Sequence, residues 1–219
     1  VVGGDVYRAL AMQKTGQSKS ASSLSVILDR LSGLWMLCAI GGLGAVACAA
    51  TLAPWLHLDV TLFRTALLLI TLLWLLLPWG LLKAVHLEWV KLPGAWLAPL
   101  QDAVQRADFI PQLWLQGLSS AMVQLLSAAA LACGALALGL WQPLSVWAFA
   151  IAPIFLMAAL PVSVGGWGTR ETAAVAALAP FGVPATLAVG VGLLYGVFAL
   201  AQGALGALAL GLPAKSMNQ

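Results

Sequence analysis

Two short strings in this sequence carry residues that could do chemistry, and the strings match each other. Val2-Gly3-Gly4-Asp5-Val6-Tyr7-Arg8 and Val164-Gly165-Gly166-Trp167-Gly168-Thr169-Arg170 both read V-G-G-x-x-x-R, and Glu171 follows the second. Paired glycines interrupt a helix and leave backbone N–H groups free. The helix restarting after them points the positive end of its dipole at the break, which suits an anion. An arginine in the first turn adds a fixed positive charge, and a phosphate is its natural external partner. Asp5 and Glu171 would balance that charge or relay a proton. Arg170 and Glu171 have a second reading, a structural ion pair that holds the break in place, and Asp5 with Arg8 shares it.

Ser163 can cap the restarting helix, the reading we favour, or hydrogen-bond a ligand. Arg30, beside Asp29, lies where a long side chain can snorkel to an interface, and direct substrate contact is the alternative. The candidate binding set is therefore Gly3, Gly4, Asp5, Arg8, Arg30, Ser163, Gly165, Gly166, Arg170 and Glu171.

Other chemistries lack their residues. Cys38, Cys48 and Cys133 all sit in apolar runs with no CxxC or Cys/His spacing, so they read as small buried apolar residues and not as metal ligands. His57 and His86 read as loop residues remote from any cysteine. The chain has no G-x-S-x-G, H-E-x-x-H or G-x-x-x-x-G-K-[ST] string, which argues against hydrolase, zinc-protease or ATP-driven chemistry by this chain alone. No catalytic residue, metal or cofactor is expected, and the chain is not expected to be an enzyme on its own. The net charge of +3 follows from membrane topology and needs no nucleic-acid partner.

The elements that must position these residues are membrane helices. Hydrophobic residues make up 62% of the 219 and charged residues 8%, against about 25% charged in a soluble domain. The mean hydropathy is +1.00. A water-facing surface cannot be built from so few charges, so lipid must cover the exterior. Spans are expected at about 31–53, 62–82, 113–140 and 184–210, each near the 20 or so apolar residues that cross a bilayer. Pro54, His57 and Asp59 should end the first. Residues 144–180, broken by Pro161 and the glycine cluster, are expected to dip into the membrane and return.

Within 83–111, the apolar positions Leu92, Trp96, Leu97, Leu100, Val104 and Ala107 recur at helical spacing. They suit a helix lying on the membrane surface or a connecting helix packed on protein. Lys and Arg placement puts residues 1–30 and Lys83, Lys91 and Arg106 in the cytoplasm, with Arg64 outside. Trp35, Trp55, Trp79, Trp114 and Trp141 read as an interfacial belt. Gly192, Gly196, Gly203 and Gly206 give the last span a face for close helix packing.

Broken helices at corresponding places of two halves point to a transporter's substrate site. The fold class expected is an all-α polytopic membrane bundle with re-entrant broken helices and an inverted-repeat character. Because the chain opens at Val1, we expect an apolar half-helix upstream and hence that the N-terminal part is missing.

The residues also carry a resemblance. Leu160-Pro161-Val162-Ser163-Val164-Gly165-Gly166-Trp167-Gly168-Thr169-Arg170-Glu171 resembles the P-x-S-x-G-G-x-G-x-R-E signature of the lysylphosphatidylglycerol synthase transmembrane region, or flippase-like, family. That family includes the flippase half of bacterial multiple peptide resistance factors and hopanoid-associated membrane proteins. Gly3 to Arg8 is similar to its upstream G-G/D-x-x-R element, and Ala21 to Leu34, with Val26, Asp29 and Arg30, looks like its SV-x-x-x-R helix. Leu118 to Leu126 sits where the family has an S-x-x-x-Q span. The departure is Trp167, where a small or aliphatic residue is more usual, so a narrower pocket is implied.

The resemblance covers nearly the whole chain and implies one flippase-like domain over 1–219. It implies translocation of a phospholipid, aminoacylated or similar lipid between leaflets of the bacterial cytoplasmic membrane. The alternative it implies is a membrane component that presents lipid to a separate transferase domain. Partners would be membrane lipids with anionic or aminoacylated headgroups, and in the alternative that separate domain.

Overall fold

The computed structural model describes residues 19–86, 109–160 and 162–211. The described residues form α-helices and short 3₁₀ turns, with no strand among them: α1 (Lys19–Ala47), α2 (Ala49–Trp55), α3 (Val60–His86), α4 (Phe109–Ala137), α5 (Leu144–Ala159), α6 (Thr169–Leu178) and α7 (Ala185–Gly211). Four of them, α1, α3, α4 and α7, are long and apolar enough to cross a membrane, so the expected multi-pass helical fold is the observed one.

The span ends differ from the expected ones for local reasons. α1 starts at Lys19 and takes in the serine-rich stretch, since serines are tolerated within a helix when neighbours accept their hydroxyl bonds. It kinks at Cys48 before continuing as α2, which ends in a tight C-terminal motif. Leu58 N–H donates to Ala53 O (2.8 Å) and His57 N–H to Pro54 O (3.1 Å), with His57 itself left-handed at φ 57°. Asp59 then caps α3, its Oδ1 accepting from Leu62 N–H at 2.8 Å. The expected stop at Pro54, His57 and Asp59 is thus a reversal followed at once by a new helix. His86 is the last residue of α3 and not a loop residue. Gly139, at φ 76°, ends α4 by the same motif, with Leu140 N–H on Ala135 O (2.9 Å).

α1 is the central strut. A Cβ at Gly41 would collide with Ala152, and one at Gly44 with the Phe149 backbone, so these glycines let α5 lie directly on α1. On its other side, Trp35 and Trp74 exchange hydrogen bonds, each indole N–H donating to the other's backbone carbonyl at 2.9 Å. Trp35 is therefore not part of an interfacial belt, because its N–H is committed to α3 inside the bundle. Trp55, Trp114 and Trp141 do stand exposed near helix ends, and Trp79 and Trp114 pair with ring centroids 5.6 Å apart. α4 joins α1 through polar contacts in which Gln116 Nε2 donates to Asp29 Oδ1 (3.1 Å) and Ser32 Oγ (2.9 Å). Gln124 Nε2 donates to Gly33 O at 3.2 Å, so Gln124 of the S-x-x-x-Q stretch ties two spans together.

The apolar core lies where α5 and α6 meet α1, α4 and α7, around Trp147, Leu131, Ile151, Ile154, Leu178 and Val191, each at most 1% exposed. α3 faces outward, with Leu62, Leu73 and Leu76 more than 60% exposed, a surface suited to lipid.

Candidate functional site: a glycine turn at the tip of a helical hairpin

α5 has 16 residues, about 24 Å of helix, and α6 has 10; neither reaches across a bilayer core of about 30 Å. They form a hairpin whose two feet stand at the same end of the bundle. Gln142 Nε2 donates to Phe181 O at 3.4 Å, and the Phe149 and Phe181 rings lie 5.9 Å apart. The return at the far end is the glycine turn, and it packs on α7 at Gly192 and Gly196. Gly196 lies about 17 Å along a helix of about 40 Å, close to its middle. The hairpin therefore leaves and returns at one end of the bundle.

The turn has this form because three of its residues take a backbone that side chains disfavour. Gly165, Gly166 and Gly168 lie at φ 65°, 79° and 84°, in the left-handed region open to glycine. Gly166 also lacks room, since a Cβ there would come within 3.0 Å of Ala158 Cβ and O. α6 restarts after Gly168, whose N–H donates to Glu171 Oε2. That bond is the carboxylate half of a capping box, a glycine having no side chain to supply the other half. Thr169 Oγ1 donates to Gly166 O (3.2 Å) and is 3.0 Å from Ser163 Oγ. Ser163 thus braces Thr169 and does not cap α6; Glu171, three residues into the restart, reaches the free N–H instead.

Arg170 turns back over the break, its Nη2 donating to Gly165 O at 2.8 Å. The guanidinium lies over two aromatic rings, 5.8 Å from the centroid of Trp167 and 5.8 Å from that of Tyr195. Arg170 and Glu171 are each only 6% exposed, and both are bound to the backbone of the same turn instead of to each other. Arg170 Nη1 and Glu171 Oε1 are buried and have no hydrogen-bond partner among the described residues. Burying a charge without completing its hydrogen bonds is expensive, so the turn presents one cationic donor and one acceptor that a polar ligand could complete.

The wall opposite is α7. Gly192 admits the Glu171 Cα and Cγ, which a Cβ there would approach to 3.3 Å. At Gly196 a Cβ would collide with Arg170 Nη1 and come within 3.2 Å of the Trp167 ring. Half of the expected glycine face is therefore a packing face, whereas Gly203 and Gly206 have nothing within 4 Å.

The structure brings Ser163, Gly165, Gly166, Arg170 and Glu171 together. Arg30 stands exposed on α1, one residue beyond the Asp29–Gln116 contact. Gly3, Gly4, Asp5 and Arg8 lie outside the described residues, as do the expected surface helix at 92–107 and Pro161. Sequence reasoning missed Tyr195 as a site wall and Gly168 as the restart of α6. Gly192 and Gly196, four apart on a helix, did carry a signal for close packing, though not for its target. Among the described residues no group of His, Cys, Asp and Glu could hold a metal ion.

Comparison with known proteins adds one match. The family model described as the lysylphosphatidylglycerol synthase TM region covers residues 1–206. No curated protein and no solved structure matches the chain.

Proposed function

The chain belongs to the lysylphosphatidylglycerol synthase TM region family, a multi-pass membrane protein with a lipid-related role, and from that premise we propose that it moves a phosphate-bearing lipid between leaflets. The observation that carries this reading is the half-satisfied Arg170–Glu171 pair at the hairpin tip. An arginine at membrane depth costs about 2.5–3.5 kcal/mol even on gentle insertion scales. A bundle that served only as an anchor has no use for that cost. A headgroup phosphate completes the Arg170 Nη1 donor set, and Glu171 balances the charge left when the phosphate departs. The repeated V-G-G-x-x-x-R string makes Gly3, Gly4, Asp5 and Arg8 the candidates for a second half of the site. The location proposed is the bacterial cytoplasmic membrane, with α1 starting on the cytoplasmic side.

The test is Arg170→Ala and Glu171→Gln in proteoliposomes carrying a lipid labelled in one leaflet. Loss of a charge-assisted contact is expected to slow transfer at least tenfold in Arg170→Ala, the effect of about 1.5–3 kcal/mol. Unchanged transfer in both variants defeats the site.

The family description names a synthase, which favours a second reading in which the bundle presents lipid to a separate transferase domain. That reading predicts no leaflet exchange by the purified chain and recovery of the chain with a soluble aminoacyl- or glycosyl-transferase.

A further inference from the structure

Arg170 is closed in by two walls of different character. Tyr195 belongs to α7 and is held by Phe155, their ring centroids 5.1 Å apart. Trp167 has no such support. It sits between Gly166 and Gly168, both at positive φ, and as a residue it is 36% exposed. The indole rests on glycines. A Cβ at Gly165 would come within 3.4 Å of its Cδ1, and one at Gly196 within 3.2 Å of its Cη2. Arg170 Nη1, the unpartnered donor, converges on the same Gly196. The benzo edge of the indole and the free donor thus share one space, and moving the indole opens that space beside Nη1.

We infer that Trp167 is a glycine-hinged lid over Arg170, and that the structure captures the closed state. In it the guanidinium is occupied on one side by Gly165 O and covered by the Trp167 face, a cation–ring contact that replaces lost hydration. Opening takes the indole off Gly196 and exposes Nη1 to a phosphate group while Tyr195 stays in place. The lid thus sets what reaches the arginine. The inference rests on the headgroup reading for its ligand only; the cover itself rests on geometry.

The experiment follows modification of individual arginines by a dicarbonyl reagent, read by peptide mass spectrometry on the full chain in uncharged maltoside micelles. Arg64, exposed on α3, is the internal control. In Trp167→Ala, Arg170 should react roughly tenfold faster than in the native chain, the scale of a desolvated cation–ring contact, with Arg64 unchanged. Trp167→Phe keeps an aromatic ring in the turn but is too short to reach Gly196, so it should give a smaller increase. It serves as the test if the alanine variant loses its helical circular dichroism. Native rates at Arg170 in the folded variants overturn the lid.

Short-chain phosphatidylglycerol and inorganic phosphate are then added separately to the opened variant. Protection of Arg170 by both supports a bare phosphate ligand, and protection by the lipid alone supports a headgroup whose tails contribute. If neither protects, the headgroup reading falls while a faster Arg170 still upholds the lid.

Discussion

Arg170 uses its donors unevenly, one guanidinium nitrogen on Gly165 O and the other against the bare backbone of Gly196. That arrangement depends on the missing side chain at 196 as much as on the arginine. Gly196→Ala should displace Arg170 or Trp167 and destabilise the chain by about 1–3 kcal/mol, the usual cost of overpacking. Thermal unfolding in detergent measures the stability cost, and proteoliposome transfer should fall with it. Gly203→Ala, whose position has nothing within 4 Å, should leave both nearly unchanged. The chemistry at this scale was readable in part. Paired glycines inside an apolar run announce a break wherever they fall, so Gly165, Gly166 and the restart with Arg170 could be read directly. The role of Ser163 could not, because it turned on whether Glu171 reaches the Gly168 N–H, a matter of three-dimensional reach. Trp167 could be noted as bulky, but not seen to cover Arg170, since that depends on Gly196 of a different helix.

Between helices, unbroken apolar length announced the existence of each span, while the ends were decided by capping. α2, His57 and Asp59 make the reversal between α1 and α3. Asp59→Ala removes the cap and should cost about 0.5–2 kcal/mol, read as a lower midpoint in thermal unfolding followed by circular dichroism. Trp35 was misplaced at an interface because its partner, Trp74, is 39 positions away. Nothing local in either segment marks the exchange of hydrogen bonds. Hydropathy sees how apolar a window is and is blind to which indole N–H finds a carbonyl across a helix pair.

Across the whole molecule, the reach of α5 and the contacts at its feet make the hairpin return to the end it left. The expected dip came from one signal, an apolar run too interrupted by Pro161 and the glycine cluster to span. The orientation proposed above puts the α2–α3 reversal and the hairpin feet outside. Cysteines introduced at Asp59 and Gln142, in a chain freed of Cys38, Cys48 and Cys133, should react with an impermeant maleimide on intact cells. One at Lys83, near the other end of α3, should react only after permeabilisation. The reverse labelling pattern inverts the orientation and leaves the site geometry untouched.

In the membrane placement and transport role proposed above, a hairpin with both feet on one side works as a depth gauge. Its length fixes how far the glycine turn lies below the surface that holds the feet, whatever the membrane's thickness. Longer acyl tails therefore add hydrocarbon only between the turn and the opposite face. For a cargo that must cross the whole bilayer, the two legs of the journey scale differently with lipid composition, and the leg away from the feet absorbs the change.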